Sequence, residues 1–180
     1  MTRTSMIVAA ILGLIAAALI SGYYIHRNRS KSWAFKTTDE MMQRLAAEAV
    51  DIAERNGSVK LDYSPDSIKN VEVVLSKIHD DFVRQNSTNG VNGLAMAFGA
   101  YIGEVIKRSE PGSKWERDDP VGGEKSYPIR WRGGSSFPCA WCYRRIINGP
   151  EDNVWFKYTA IKQRTDAKST GGKPQQPLSN

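Results

Sequence analysis

Apolar positions along the chain fall into one unbroken run, three helical stripes and then a set of short clusters. The unbroken run is Met6 to Ile25, twenty residues without a charge. At about 1.5 Å of rise per residue it would reach roughly 30 Å, the thickness of a hydrocarbon core. Tyr23 and Tyr24 stand at its end, where amphipathic rings favour the headgroup zone. The pattern predicts a transmembrane helix over 6–25, after a short tail over 1–5. A cleaved signal fits less well. Only Arg3 precedes the run, the run is long for a signal, no A-x-A-like site precedes the polar residues, and basic residues follow directly.

Helical stripes come next. Thr37-Thr38-Asp39-Glu40 fits a capping box, and Met41, Leu45, Ala49, Ile52 and Ala53 follow at helical spacing up to Asn56-Gly57. A short extended piece, Val59 to Tyr63, leads to Ser64-Pro65-Asp66, a start signal with Ser as N-cap and Pro in the first turn. The second stripe is Ile68, Val71, Leu75, Ile78 and Phe82, with charges on the opposite face. Beyond a polar loop, 86–92, a third helix over 93–108 is apolar on most faces and is expected at the centre of the core. Gly99 and Gly103 lie one turn apart in it. Each costs about 1 kcal/mol of helix propensity relative to Ala, so close approach by another element is the expected compensation. Pro111-Gly112 ends this helix.

Trp115, 127–131, 137–147 and 154–161 are rich in aromatic and β-branched residues and are separated by Gly, Pro, Asn and Asp. They predict three or four short antiparallel strands, with 148–153 as the hairpin between the last two. Helices followed by strands make the expected fold α+β, about three helices on a small sheet. The expected domain spans 37–163, behind a basic linker at 26–36. The tail 164–180 has too little apolar content to fold and is expected to be disordered.

Charge changes the picture by its position. The formal net charge is +6, but residues 1–36 hold five basic residues and no acid, and 164–180 carry a net +2. Residues 37–163 are left with 17 basic and 18 acidic residues. A basic chain would normally hint at nucleic acid; with the excess in the arms, no nucleic-acid partner is expected. Arg27, Arg29, Lys31 and Lys36 follow the apolar run against Arg3 and the α-amino group before it. The positive-inside rule then puts the domain on the cytoplasmic side of a bacterial inner membrane, with the periplasm as the alternative. Arg27, Arg29 and Lys31 can rest on anionic headgroups. Ala9, Gly13, Ala17 and Ser21 recur every four residues, a stripe that permits a homodimer seam and is also common in membrane helices generally.

Candidate chemistry is sparse. Cys139-Ala140-Trp141-Cys142 has the spacing of a redox pair. On a strand, positions three apart would lie on opposite faces about 10 Å apart, beyond the roughly 7 Å a disulfide tolerates. The pair then reads as two semi-buried thiols. A zinc site needs about four ligands, and the two histidines, His26 and His79, are badly placed to complete one, so no metal and no cofactor are expected. Glu104 sits one turn from Tyr101 on the most apolar helix. The two could be a buried acid/base pair, or Glu104 could pair with Arg108 at i,i+4. Arg130, Trp131, Trp141 and Arg144 put aromatics and arginines together, as binding hot spots do and as a core with snorkelling arginines also does.

The stretch Gly99-Ala-Tyr-Ile-Gly-Glu-Val-Ile106, then Trp115, the 127–131 segment and the 148–155 turn, resembles a bacterial domain of unknown function in which a G-x-Y-x-G-E helix precedes a tryptophan-bearing sheet. The resemblance covers roughly 60–160. It implies no established activity and no catalytic residues. The sequence therefore favours a membrane-tethered, non-enzymatic interaction or scaffold module with an unknown protein partner. The alternative is an enzyme, using either Cys139 and Cys142 or Tyr101 and Glu104.

Overall fold

The computed structural model describes residues 35–57, 59–132 and 134–170. The apolar run, its Ala9/Gly13/Ala17/Ser21 stripe and the basic residues Arg27, Arg29 and Lys31 lie outside them. Among the described residues no helix is long and apolar enough to cross a membrane. All elements belong to the second of two units, Thr38–Asn180.

The fold is α+β. The elements run α1 (Thr38–Gly57), α2 (Ser67–Gln85), α3 (Val91–Ser109), β1 (Lys114–Trp115), β2 (Ile129–Trp131), β3 (Gly134–Ser136), α4 (Pro138–Asn148), a 3-10 turn (Pro150–Asp152) and α5 (Val154–Thr170). The strands form one antiparallel sheet in the order β1-β2-β3, with Trp115 opposite Ile129 and Trp131 opposite Gly134.

Helix α3 is the centre, as its apolar faces predict: every residue from Ala97 to Ile106 is buried. It packs most extensively on α1 and α4. The first contributes Met42, Leu45, Ala46, Ala49 and Ala53, one stripe at three- and four-residue spacing. Both glycines of α3 mark close approaches. A Cβ on Gly99 would stand 2.4 Å from the Cys139 Cα, and one on Gly103 would stand 2.0 Å from the Trp115 ring.

Two expected strands are helices. Residues 137–147 were expected to be extended, yet Pro138, Cys142, Arg145 and Ile146 turn inward on α4 at helical spacing. Pro138 in the first turn starts that helix, where its missing N–H costs nothing. Residues 154–161 belong to α5, which buries Val154, Tyr158 and Ile161. Asn153 begins it: its side-chain oxygen accepts from the Phe156 N–H at 3.1 Å. The supposed hairpin at 148–153 is thus a helix-to-helix connection. Because α5 continues to Thr170, residues 164–170, assigned to a disordered tail, have helical backbone; 171–180 lie outside the described residues.

Candidate interaction groove

Tyr101 and Glu104 do not act on one another. The Tyr101 hydroxyl accepts from the Tyr63 backbone N–H at 2.7 Å and contacts Ser67 Oγ at 2.6 Å. Ser67 gives its only proton to the Ser64 carbonyl at 2.6 Å, so the tyrosine is the donor to Ser67. Both sides of the phenol are used to hold the start of α2 on α3. Burial raises its pKa above the ordinary tyrosine value. Tyr63 stacks on the Tyr101 ring at 4.7 Å, and Arg108 lies 3.7 Å over the other aromatic, Tyr63. Arg108 is therefore engaged by a ring, and the expected Glu104–Arg108 pair is absent from the ion pairs of the described residues. Glu104 is 7% exposed and accepts from the Trp115 indole N–H at 2.8 Å. The short side of Gly103 makes room for that indole.

The cysteines need a different account from the one that strand geometry suggested. On α4 they occupy adjacent turns near the helix start and share a face, so separation no longer argues against a pair. Their environment does. Burial pushes the Cys139 thiol up to about 12 and Cys142 well above its ordinary range. The Cys139 residue as a whole is only half-buried. Its sulfur, however, is packed toward Gly99 and lies 3.9 Å from the Met96 carbonyl, and the sulfur's surroundings decide its acidity. Both thiols are free. Among the described residues no cluster of His, Cys, Asp and Glu could hold a metal ion.

The four expected binding residues divide into two pairs. Arg130 is hydrogen-bonded within the domain on all three of its nitrogens. Its guanidinium donates to Glu116 at 2.7 Å, to Asp119 at 2.9 Å and to the Ser135 hydroxyl. The Glu116 carboxyl is held below its usual range, mainly by the Arg130 hydrogen bond. Trp131 is buried and donates to Ser136 Oγ at 3.0 Å. Trp131 therefore presents little surface, whereas the Arg130 side chain stays 44% exposed. Trp141 and Arg144, by contrast, line one open groove of about 410 Å³.

That groove runs between α4 and the loop joining β1 to β2. Its apolar lining includes Met96, Val121, Tyr127, Phe137, Cys139 and Trp141. Glu124, Lys125 and Arg144 supply its charges. Asp119 shapes the loop. It is buried, takes the Val121 and Gly122 N–H groups on one oxygen at 2.8 and 3.1 Å, and takes Arg130 on the other. Asp118 N–H to the Ser126 carbonyl and Glu116 N–H to the Pro128 carbonyl extend the β1–β2 ladder into it. The result of this ordering is that Val121, at the tip, is 91% exposed.

Sequence reasoning missed Val121, Asp119 and Tyr127. One signal was present: in Asp119-Pro120-Val121-Gly122-Gly123 the valine has no apolar partner at a spacing of two, three or four. No family model, curated protein or solved structure matches the chain. This agrees with a resemblance that transfers no catalytic residue.

Proposed function

We propose that the chain is a membrane-tethered, non-enzymatic interaction module, held by 6–25 with its domain on the cytoplasmic side, and that the groove between α4 and the β1–β2 loop is its docking face. The observation that carries this reading is Val121. A loop fastened by a buried Asp119 and by Arg130 holds an aliphatic side chain in water at the groove's edge. Apolar tips ordered in advance lower the entropy cost of association. Trp141 and Arg144 across the groove are residue types enriched at binding hot spots.

A photo-crosslinking residue at position 121 tests it in cells, with position 83 on α2 as the control; Val83 is also exposed but does not line the groove. The expected result is a discrete adduct from position 121, absent from position 83 and lost on Trp141→Ala. No adduct at 121, or the same adducts from both positions, would sink the reading.

The dithiol alternative has one observation in its favour, the placement of both cysteines on adjacent turns at a helix start. Rapid alkylation below neutral pH would support it, and thiols titrating only in the alkaline range would remove it.

A further inference from the structure

Most cations of the domain already have a partner. Lys69, Arg84, Lys107, Lys114, Arg117, Arg130, Arg145 and Lys157 are in ion pairs, Arg144 is in a longer one, and Arg108 lies over a ring. The larger groove between the ends of α1, α2 and α3, about 560 Å³, sets two cations against two acids, Lys77 and Arg84 against Asp80 and Asp81, with Arg84 taken by Asp81. The α4 groove differs. Among the described residues Lys125 makes a backbone contact, its N–H donating to Asp118 at 2.6 Å, and its ammonium is in no ion pair. Arg144 stands 3.6 Å from an Asp152 oxygen, outside hydrogen-bond distance. Asp152 is already occupied, by the Lys157 ammonium and by the Asn148 amide at 2.6 Å. So Arg144, half exposed, keeps a long ion pair with Asp152 and no hydrogen bond to it, and its side chain also lines the groove.

We propose that the groove takes an acidic peptide segment of a partner protein that carries an aromatic anchor. This rests on the docking face proposed above and names the chemistry of what docks. The lining carries Lys125 and Arg144 against Glu124, with Arg144 sharing its charge with Asp152 at 3.6 Å, so the remaining bias, set by Lys125 and the half-exposed Arg144, favours a negatively charged occupant. Arg144 offers the fork that carboxylates fill in a bidentate way, and Lys125 adds a point charge. Between them the wall is Trp141, Tyr127, Phe137 and Met96. Such a wall gains by burying an aromatic side chain, with the thioether able to adjust to its shape. A bare phosphate would leave that apolar wall uncovered, which is why a peptide is favoured over a lipid headgroup.

The test uses the full chain in detergent micelles and fluorescein-labelled octapeptides read by polarisation. One is rich in Asp and Glu around Phe and Trp, the second replaces the acids by Lys, and the third replaces the aromatics by Gly. The acidic aromatic peptide should bind, weakening as salt is raised. Its affinity should fall about tenfold or more with Arg144→Glu and with Trp141→Ala, the loss of one hot-spot contact. Lys162→Glu on α5, outside this groove, should leave it unchanged. Unchanged thermal melts of the variants keep a folding defect from being read as a binding defect. Equal binding of the lysine peptide, indifference to Arg144→Glu, or no binding of any peptide would overturn the proposal. So would binding to anionic vesicles that Arg144→Glu abolishes while the peptides fail, because a lipid headgroup would then be the occupant. If the peptides fail but position 121 still crosslinks a partner, the docking face stands and only its chemistry is wrong.

Discussion

At the scale of single residues, polar groups that resembled catalytic candidates are explained by what they touch. Gly103, Trp115 and Glu104 form one unit: the missing Cβ admits the indole, and the indole N–H satisfies the buried carboxylate. The need for close approach at Gly99 and Gly103 was legible, because glycine inside an apolar helix has a propensity cost that something must offset. The partner was not legible, because i,i+4 spacing names Arg108 while only tertiary packing brings Trp115 across. The cysteines carry a prediction at this scale. Cys139 and Cys142 are held neutral by burial, so their folded pKa values exceed the unfolded ones. Groups of this sign contribute stability that is fully present below the unfolded value and lost as pH rises through the folded value. For Cys139 that window runs from 9.0 to about 12. Thermal melts should be level around neutral pH and fall through this window, and Cys139→Ala should reduce the fall without abolishing it, since Tyr101 is raised in the same sense. Iodoacetamide at about pH 8 should label the native protein slowly and the denatured protein fast. Fast native labelling would mean that the thiols are not buried as described.

At the scale of elements, the three long helices and the strands at Trp115 and within 127–131 were readable, and 137–147 and 154–161 were misread. The stripes of α1, α2 and α3 each repeat over several turns, and long periodic segments are unambiguous. Helix α4 is eleven residues and opens on Phe-Pro-Cys-Ala-Trp. Its aromatic and β-branched content suits either state, so content outweighed a spacing of 138, 142, 145 and 146 that was helical throughout. The start of α5 was hidden for a different reason. Part of its first turn is satisfied from far away: Glu72 on α2 accepts the Val154 N–H at 2.9 Å and pairs with Arg145 on α4 at 2.5 Å. One carboxylate thus joins three helices. The Arg145 side chain is 3% exposed, and its Nη1 has no hydrogen-bond partner. Glu72→Ala should therefore cost about 3–5 kcal/mol, because it strands a buried cation and leaves the α5 N–H unpaired. Replacing both partners, Glu72→Leu with Arg145→Met, removes the stranded charge and the partnerless Nη1 together and leaves the Val154 N–H as the one donor still without its acceptor. Urea denaturation should rank the double variant above Glu72→Ala. A loss below about 1 kcal/mol in the single variant, the range of exposed pairs, would show that solvent reaches the junction.

At the scale of the whole molecule, charge and hydropathy divide the labour between an arm and a domain. Residues 37–163 are nearly neutral, and the surplus of positive charge sits in 1–36 and 164–180. A domain with that balance has little electrostatic reason to approach an anionic bilayer; the arm has both a hydrophobic and an electrostatic one. Arg27, Arg29, Lys31 and Lys36 outnumber the positive groups ahead of the apolar run, and such an excess is retained on the cytoplasmic side. Removing 1–36 should therefore move the protein from the membrane fraction to the soluble fraction without lowering its melting temperature, because among the described residues every helix packed on α3 begins at Thr38 or later. In the full chain, a C-terminal fluorescent-protein fusion should be bright and an alkaline-phosphatase fusion inactive. Neutralising Arg27, Arg29 and Lys31 with Gln leaves Lys36 against Arg3 and the α-amino group, so the bias disappears and phosphatase activity should rise. Phosphatase activity in the unaltered chain would place the domain in the periplasm. The docking partner would then have to be sought there, and Cys139 and Cys142 would face an oxidising compartment in which dithiol chemistry gains weight.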